Sequence, residues 1–114
     1  MNPTARQAFR ARAQTKREEM RPGAIVLSWH IDGALHTVNL DCAVGLSPVT
    51  PTPAGGGVLN VQTIRADIRK TLLPDRPSGG VVVTYGDLVF DHASSIAGDD
   101  PGAIIWTIRA QRIV

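Results

Sequence analysis

The stretch GAIVLSWHIDGALHTVNL, residues 23–40, places two apolar runs on either side of Asp32-Gly33. An Asp-Gly pair in that setting suits a type I′ turn, whose two central residues need positive φ, and such a turn closes a two-residue β-hairpin. Pairing counted outward from Ile31 and Ala34 sets Trp29 opposite His36, Leu27 opposite Val38 and Ile25 opposite Leu40 on one face. His30 falls on the other face, opposite Leu35. The histidines at 30 and 36 therefore point to opposite sides of the sheet and do not ligate one metal. His36 beside Trp29 reads as a packed or rim histidine.

Toward the N-terminus, residues 2–20 read as a helix, with Asn2 and Pro3 as N-cap and N1, and with a stop at Arg21-Pro22-Gly23 because Pro22 cannot continue the pattern. Its apolar residues, Ala5, Phe9, Ala13 and Met20, form a thin stripe, so the helix is expected to lean on a partner surface rather than stand alone. Residues 1–23 carry Arg6, Arg10, Arg12, Lys16, Arg17 and Arg21 against Glu18 and Glu19, a net +4, and the remaining chain carries −2. A basic arm on a slightly acidic body fits contact with an acidic protein surface or with nucleic acid; a solvated helix is the plainer reading and is preferred over a DNA-reading arm. The expected division is a basic helical arm, 1–22, and a β domain, 23–114.

Beyond the hairpin, CAVGLSPVTPTPAGGG, residues 42–57, has three prolines, four glycines and no periodicity. It reads as a long loop at about 43–57, too weakly held by Val44, Leu46 and Val49 to order without a partner. Its glycines do not make a nucleotide site. No Gly-Lys-Ser/Thr follows them, and Asn60 stands where G-x-G-x-x-G requires its last glycine. VLNVQTIRA, 58–66, then reads as a strand, and DIRKTLL, 67–73, as a short helical turn closed by PDRPSGG. Val81 to Tyr85, a Gly86-Asp87 turn and Leu88 to Ile96 make a second hairpin. The run AIIWTIRAQRIV, 103–114, alternates as a strand with one buried face and closes a third. The expected fold is mainly β with an N-terminal α-helix, a small antiparallel β-sandwich or barrel-like domain built from hairpins.

Asp99 and Asp100 lie in AGDDPG, 97–102, between the strands of the third hairpin. Gly98, Pro101 and Gly102 are turn formers, and Asp side chains hydrogen-bond nearby backbone donors, so these acids read as turn geometry. A catalytic pair needs a cleft and an apolar wall that separates the two pKa values. A Ser-His-Asp set drawn from Ser94 or Ser95 and His92 or His36 lacks the G-x-S-x-G elbow. The residues thus point away from an enzyme and imply no cofactor and no metal.

Composition narrows the class further. The chain has 114 residues, 43% hydrophobic and 19% charged, which is one domain with a real but aliphatic core, since Phe9, Trp29, Tyr85, Phe90 and Trp106 are its only aromatics. One cysteine, Cys42, makes no internal disulfide, so nothing needs an oxidising compartment and an intracellular origin is the default. The longest apolar run near the N-terminus, AIVL, is far short of a membrane span or a signal core. A nucleic-acid-binding barrel needs aromatics interleaved with basic residues on exposed strands, and these strands are mostly aliphatic.

The order of features, a basic helix, a hairpin, a Gly/Pro stretch and then LNVQTIRADIRKTLLPDRPSGGVVVTYGDLVFDHASSIAGDDPGAIIWTIRA, 59–110, resembles the small head–tail joining proteins of lambda-like tailed phages, also called tail attachment or head completion proteins. The likeness lies in a strand that ends in a short helical turn, in the PSGGVVVTYGDLVF hairpin and in the GDDPG turn leading to a strand with Trp106. It covers the second half of the chain, and the first half shares the layout alone. The resemblance implies a structural virion subunit of the neck, made in the host cytoplasm, that joins the DNA-filled head to the tail as a ring, expected to be a hexamer. Implied partners are further copies of itself, a portal or adaptor ring, a tail terminator or tail tube protein, and lumen DNA met through phosphates without sequence readout. The expected partner-binding residues are Arg6, Arg10, Arg12, Lys16, Arg17, Val44, Leu46 and Val49. The Pro-rich stretch departs from the family's pattern and keeps a tail terminator or adaptor open, with a small nucleic-acid-binding β-barrel as the reading from another class.

Overall fold

A computed structural model describes residues 3–114, with side chains from Ala5 onward. It holds one helix, α1 (Pro3–Met20), and eight strands: β1 (Pro22–Ile31), β2 (Ala34–Leu46), β3 (Thr50–Ala54), β4 (Gly57–Arg69), β5 (Val82–Tyr85), β6 (Leu88–Phe90), β7 (His92–Ala97) and β8 (Ile105–Ile113). All strand pairs are antiparallel, in the order β6-β5-β1-β2-β4-β8-β7, with β3 added to β4. The protein is therefore mainly β with an N-terminal helix. The sheet curls until β6 meets β8 and β5 meets β7, which brings its two halves face to face.

The first hairpin has the expected register. Trp29 faces His36, Leu27 faces Val38 and Ile25 faces Leu40. Asp32 and Gly33 have φ of 51° and 81°, the two positive values that a type I′ turn demands. The Trp29 and His36 rings stack at 6.1 Å, while His30 lies on the opposite face, its Nδ1 3.2 Å from the Gly79 carbonyl.

The inner face is apolar and mostly aliphatic. Ile25, Leu27, Leu40, Ile64, Ile68, Val83, Phe90 and Ile108 are all buried there, each alternating along its strand with an outward residue. Leu73 and Trp106 close one end, where the indole N–H donates to the Leu73 carbonyl at 2.7 Å and the Lys70 ammonium sits 4.3 Å from the ring centre.

The stretch at 43–57 departs from its sequence reading as a loop. β2 continues to Leu46, and Thr50–Ala54 and Gly57–Arg69 form a hairpin across Gly55 and Gly56, whose φ values are 55° and 82°. Proline is tolerated here for a geometric reason. With Ala54 and Gly57 flanking a two-residue turn, Thr50, Thr52 and Ala54 direct their backbone groups to β4, while Pro51 and Pro53 direct theirs away. No ladder bond is lost. The bend before β3 is also tied down, because Ser47 N–H donates to the Thr63 carbonyl and Thr63 N–H donates to Ser47 Oγ, both at 2.9 Å. The reading of this stretch as a long loop is therefore corrected.

Two further expectations change. DIRKTLL is not a helical turn: β4 runs to Arg69 because Ala66, Asp67, Ile68 and Arg69 all pair with β8, and only Lys70–Leu72 turn. Leu88–Ile96 is not one strand either. It breaks at Asp91, so that β6 pairs with β5 while β7 crosses to β8. The N-cap at Asn2 lies outside the described residues.

Candidate functional site

α1 lies on the outer face of β2, β4 and β8, and it is held there by polar groups. Its expected apolar stripe does not dock: Phe9 is 58% exposed and Met20 73%. Gln14, fully buried, donates through Nε2 to the Asp67 carbonyl at 2.8 Å. The Arg69 guanidinium forks onto Glu18, with Nη2 at 2.7 Å and Nε at 3.0 Å from its oxygens, and donates to Thr15 Oγ1 at 2.9 Å. The Arg69 hydrogen bonds hold the Glu18 carboxyl below its ordinary value against an opposing effect of burial, and Glu18 in turn raises Arg69. Polar docking follows from the sheet face available, since the Ala43, Asp67 and Thr107 column beneath the helix offers it little apolar surface.

Asp67 is the centre of this seam and escaped sequence reading. Its side chain is fully buried, accepts from Thr107 Oγ1 at 2.8 Å, and pairs with Arg21 at 3.1 Å and Arg65 at 3.3 Å. The signal that locates it is Arg65-Ala66-Asp67-Ile68-Arg69 read with strand alternation, which puts Asp67 between two arginines on the face opposite Ala66 and Ile68. Cys42 lies close by, 3% exposed, with its thiol pushed up to about 12 by burial and by the charges of Asp67, Glu18 and Asp41. That thiol is a packing group and not a nucleophile.

The expected partner-binding residues divide. Arg6, Arg12 and Lys16 are exposed and make no ion pair among the described residues. Arg10 is used internally, donating to the Gly102 carbonyl, and Arg17 reaches Gln14 Oε1 at 3.4 Å. Between α1 and the turn after β7 runs a groove of ≈ 250 Å³, lined by Phe9, Arg10, Ala13, Arg17, Asp100 and Ile104 among others. Val44 is 8% exposed and belongs to the core. Leu46 and Val49, 42% and 45% exposed, lead into the β3–β4 arm, whose residues from Val49 to Asn60 are all exposed. No charged residue occurs from Cys42 to Ile64. The protein thus presents two unlike surfaces, a basic helix and an uncharged arm that carries Val58 and Leu59.

Asp99 and Asp100 stand in the turn where the sequence places them. Asp99 pairs with Arg76 at 3.2 Å, and the Asp100 carbonyl accepts from Ala103 N–H at 2.9 Å. Asp91 and His92 are in contact at 2.7 Å but both are exposed, and Ser94 donates its hydroxyl to the Arg109 carbonyl instead of meeting that histidine. Compared with known proteins, the chain matches no family model, no curated relative and no solved structure.

Proposed function

We propose that this protein is a structural subunit of the neck of a tailed phage, joining the DNA-filled head to the tail as one member of a ring. The observation that carries the reading is the pairing of two unlike surfaces on one small domain. A ring built head to tail needs a patch that fits a different patch on the next copy, and the basic helix and the uncharged arm are different in charge, shape and position. The portal or adaptor ring on one side, and the tail terminator or tail tube on the other, are the partners this role requires. The exposed Arg6, Arg12 and Lys16 supply long-range attraction for an acidic ring surface, where exposed charges shape association far more than stability.

The direct test is loss of the reading frame in the element that carries it. Electron micrographs should then show filled heads and complete tails that remain unjoined. Intact, infectious particles from that knockout overturn the proposal. A second arm uses charge reversal at Arg6, Arg12 and Lys16. The triple variant should keep the melting temperature and fail to complement, and a variant that complements fully removes the helix from the interface.

A further inference from the structure

Most edges of this sheet are closed, each by a recognisable device. The outer rim of β3 has Pro51 and Pro53 where outward N–H groups would stand, β6 is three residues long, and β7 is interrupted by a bulge between Ala93 and Ser95. β2 is different. Its ladder with β4 stops at Ala43 opposite Asp67, whereas its ladder with β1 continues to Ala34. From 34 to 41, β2 therefore has a strand on one side only.

The phase of that rim follows from the turn. Ile31 and Ala34 flank a two-residue turn and exchange both hydrogen bonds, so Ala34, His36, Val38 and Leu40 direct their backbone groups to β1, and Leu35, Thr37, Asn39 and Asp41 direct theirs outward. Among the described residues, no backbone hydrogen bond reaches these four from the open side. All four are exposed, Leu35 by 63%. The segment has no proline, lysine or arginine, and its single charge is Asp41.

We propose that this rim pairs with the same rim of a second copy, antiparallel, about a twofold axis through Val38. The second copy is the occupant because the rim is complementary to itself. With Leu35 opposite Asp41 of the second copy and Thr37 opposite Asn39, every outward group is matched and no like charges face each other. A slip by two residues either way leaves an outward residue unpaired in each chain. The inference is independent of the neck reading, since it concerns the isolated chain and not its neighbours.

Val38 at the axis forms a non-hydrogen-bonded pair, whose Cα atoms approach to about 4.5 Å, within disulfide range. Under mild oxidation Val38→Cys should give a covalent dimer on a non-reducing gel, while Leu35→Cys should not, and the wild type, with Cys42 buried, should run as a single chain. Sedimentation of the wild type should give twice the 12.2 kDa chain mass. Thr37→Pro with Asn39→Pro removes two outward donors per chain, and should weaken association about a hundredfold or more at an unchanged fold. If the proline variant does not fold, the cysteine pair decides alone. A wild type that stays monomeric at its highest soluble concentration, equal cross-linking at 35 and 38, or a folded proline variant that dimerises normally overturns the proposal.

Discussion

Replacing Asp67 by alanine tests whether its buried carboxylate stabilises the polar seam beneath the helix. The substitution removes the acceptor of the Thr107 hydroxyl, a part-buried bond to a charged group worth about 1.5–3 kcal/mol. It also frees Arg21 and Arg65, but their side chains are 36% and 41% exposed, so each pair is discounted to surface values of about 0.2–1 kcal/mol. The variant no longer buries a carboxylate, which offsets part of the loss. The Gln14 bond survives because it goes to the residue 67 carbonyl, not to the side chain. The net expectation is a loss of about 2–3 kcal/mol, or roughly 10 °C in melting temperature for a domain of this size. Trp29 and Trp106 are both buried, so urea titration followed by tryptophan fluorescence reports the change directly. Asp67→Asn keeps an acceptor for Thr107 and should lose about half as much. A shift below about 0.5 kcal/mol for Asp67→Ala, on the same scale, refutes the assignment of its carboxylate as the centre of the seam.

The Glu18 carboxyl is held low by Arg69, so its contribution is fully present above the ordinary value of 4.5 and disappears as pH falls through its lower folded value; amide exchange in α1 should accelerate over that acidic window, and Glu18→Gln should remove the dependence. Pro51→Val with Pro53→Val places outward donors on the exposed arm and should make the chain aggregate with concentration, as light scattering would show; unchanged scattering would mean that the prolines do not guard that rim. Cys42 should react with a thiol reagent at pH 8 only as fast as the protein opens, and addition of urea should bring full labelling; rapid labelling of the native chain contradicts its burial.

Local patterns made much of the fold legible. Asp32-Gly33 and Gly86-Asp87 each determine a two-residue turn and hence a register, because turn geometry depends on the residues inside it. The alternation at Ile104–Ile108 likewise marked a strand with one buried face, on which Trp106 and Ile108 lie. The same local logic misread 43–57, where prolines and glycines mark both loops and edge hairpins. What separates the two is whether a strand lies on the side away from the prolines, where Thr50, Thr52 and Ala54 can pair, and that depends on β4 being there. DIRKTLL was misread for a related reason: β8 lies some forty residues away in sequence and supplies the partners that keep Asp67, Ile68 and Arg69 extended.

Of the candidate site, the basic residues of α1 were visible as a charge cluster, but which of them stay unpaired was not, since Arg10 reaches the Gly102 carbonyl beyond β7 and Arg17 turns to Gln14 on its own helix. Sequence alone determined the turns, the alternation of the core strands, the presence of the helix and the geometric role of Asp99 and Asp100, all of which depend on neighbours within a few positions. Only the tertiary structure decided that α1 docks through Gln14 and Glu18 with Phe9 outside, that Asp67 is buried between Arg21 and Arg65, and that β2 keeps one open rim. Each of these is a balance between desolvation and a partner distant in the chain, and neither the partner nor the burial exists until the sheet has closed.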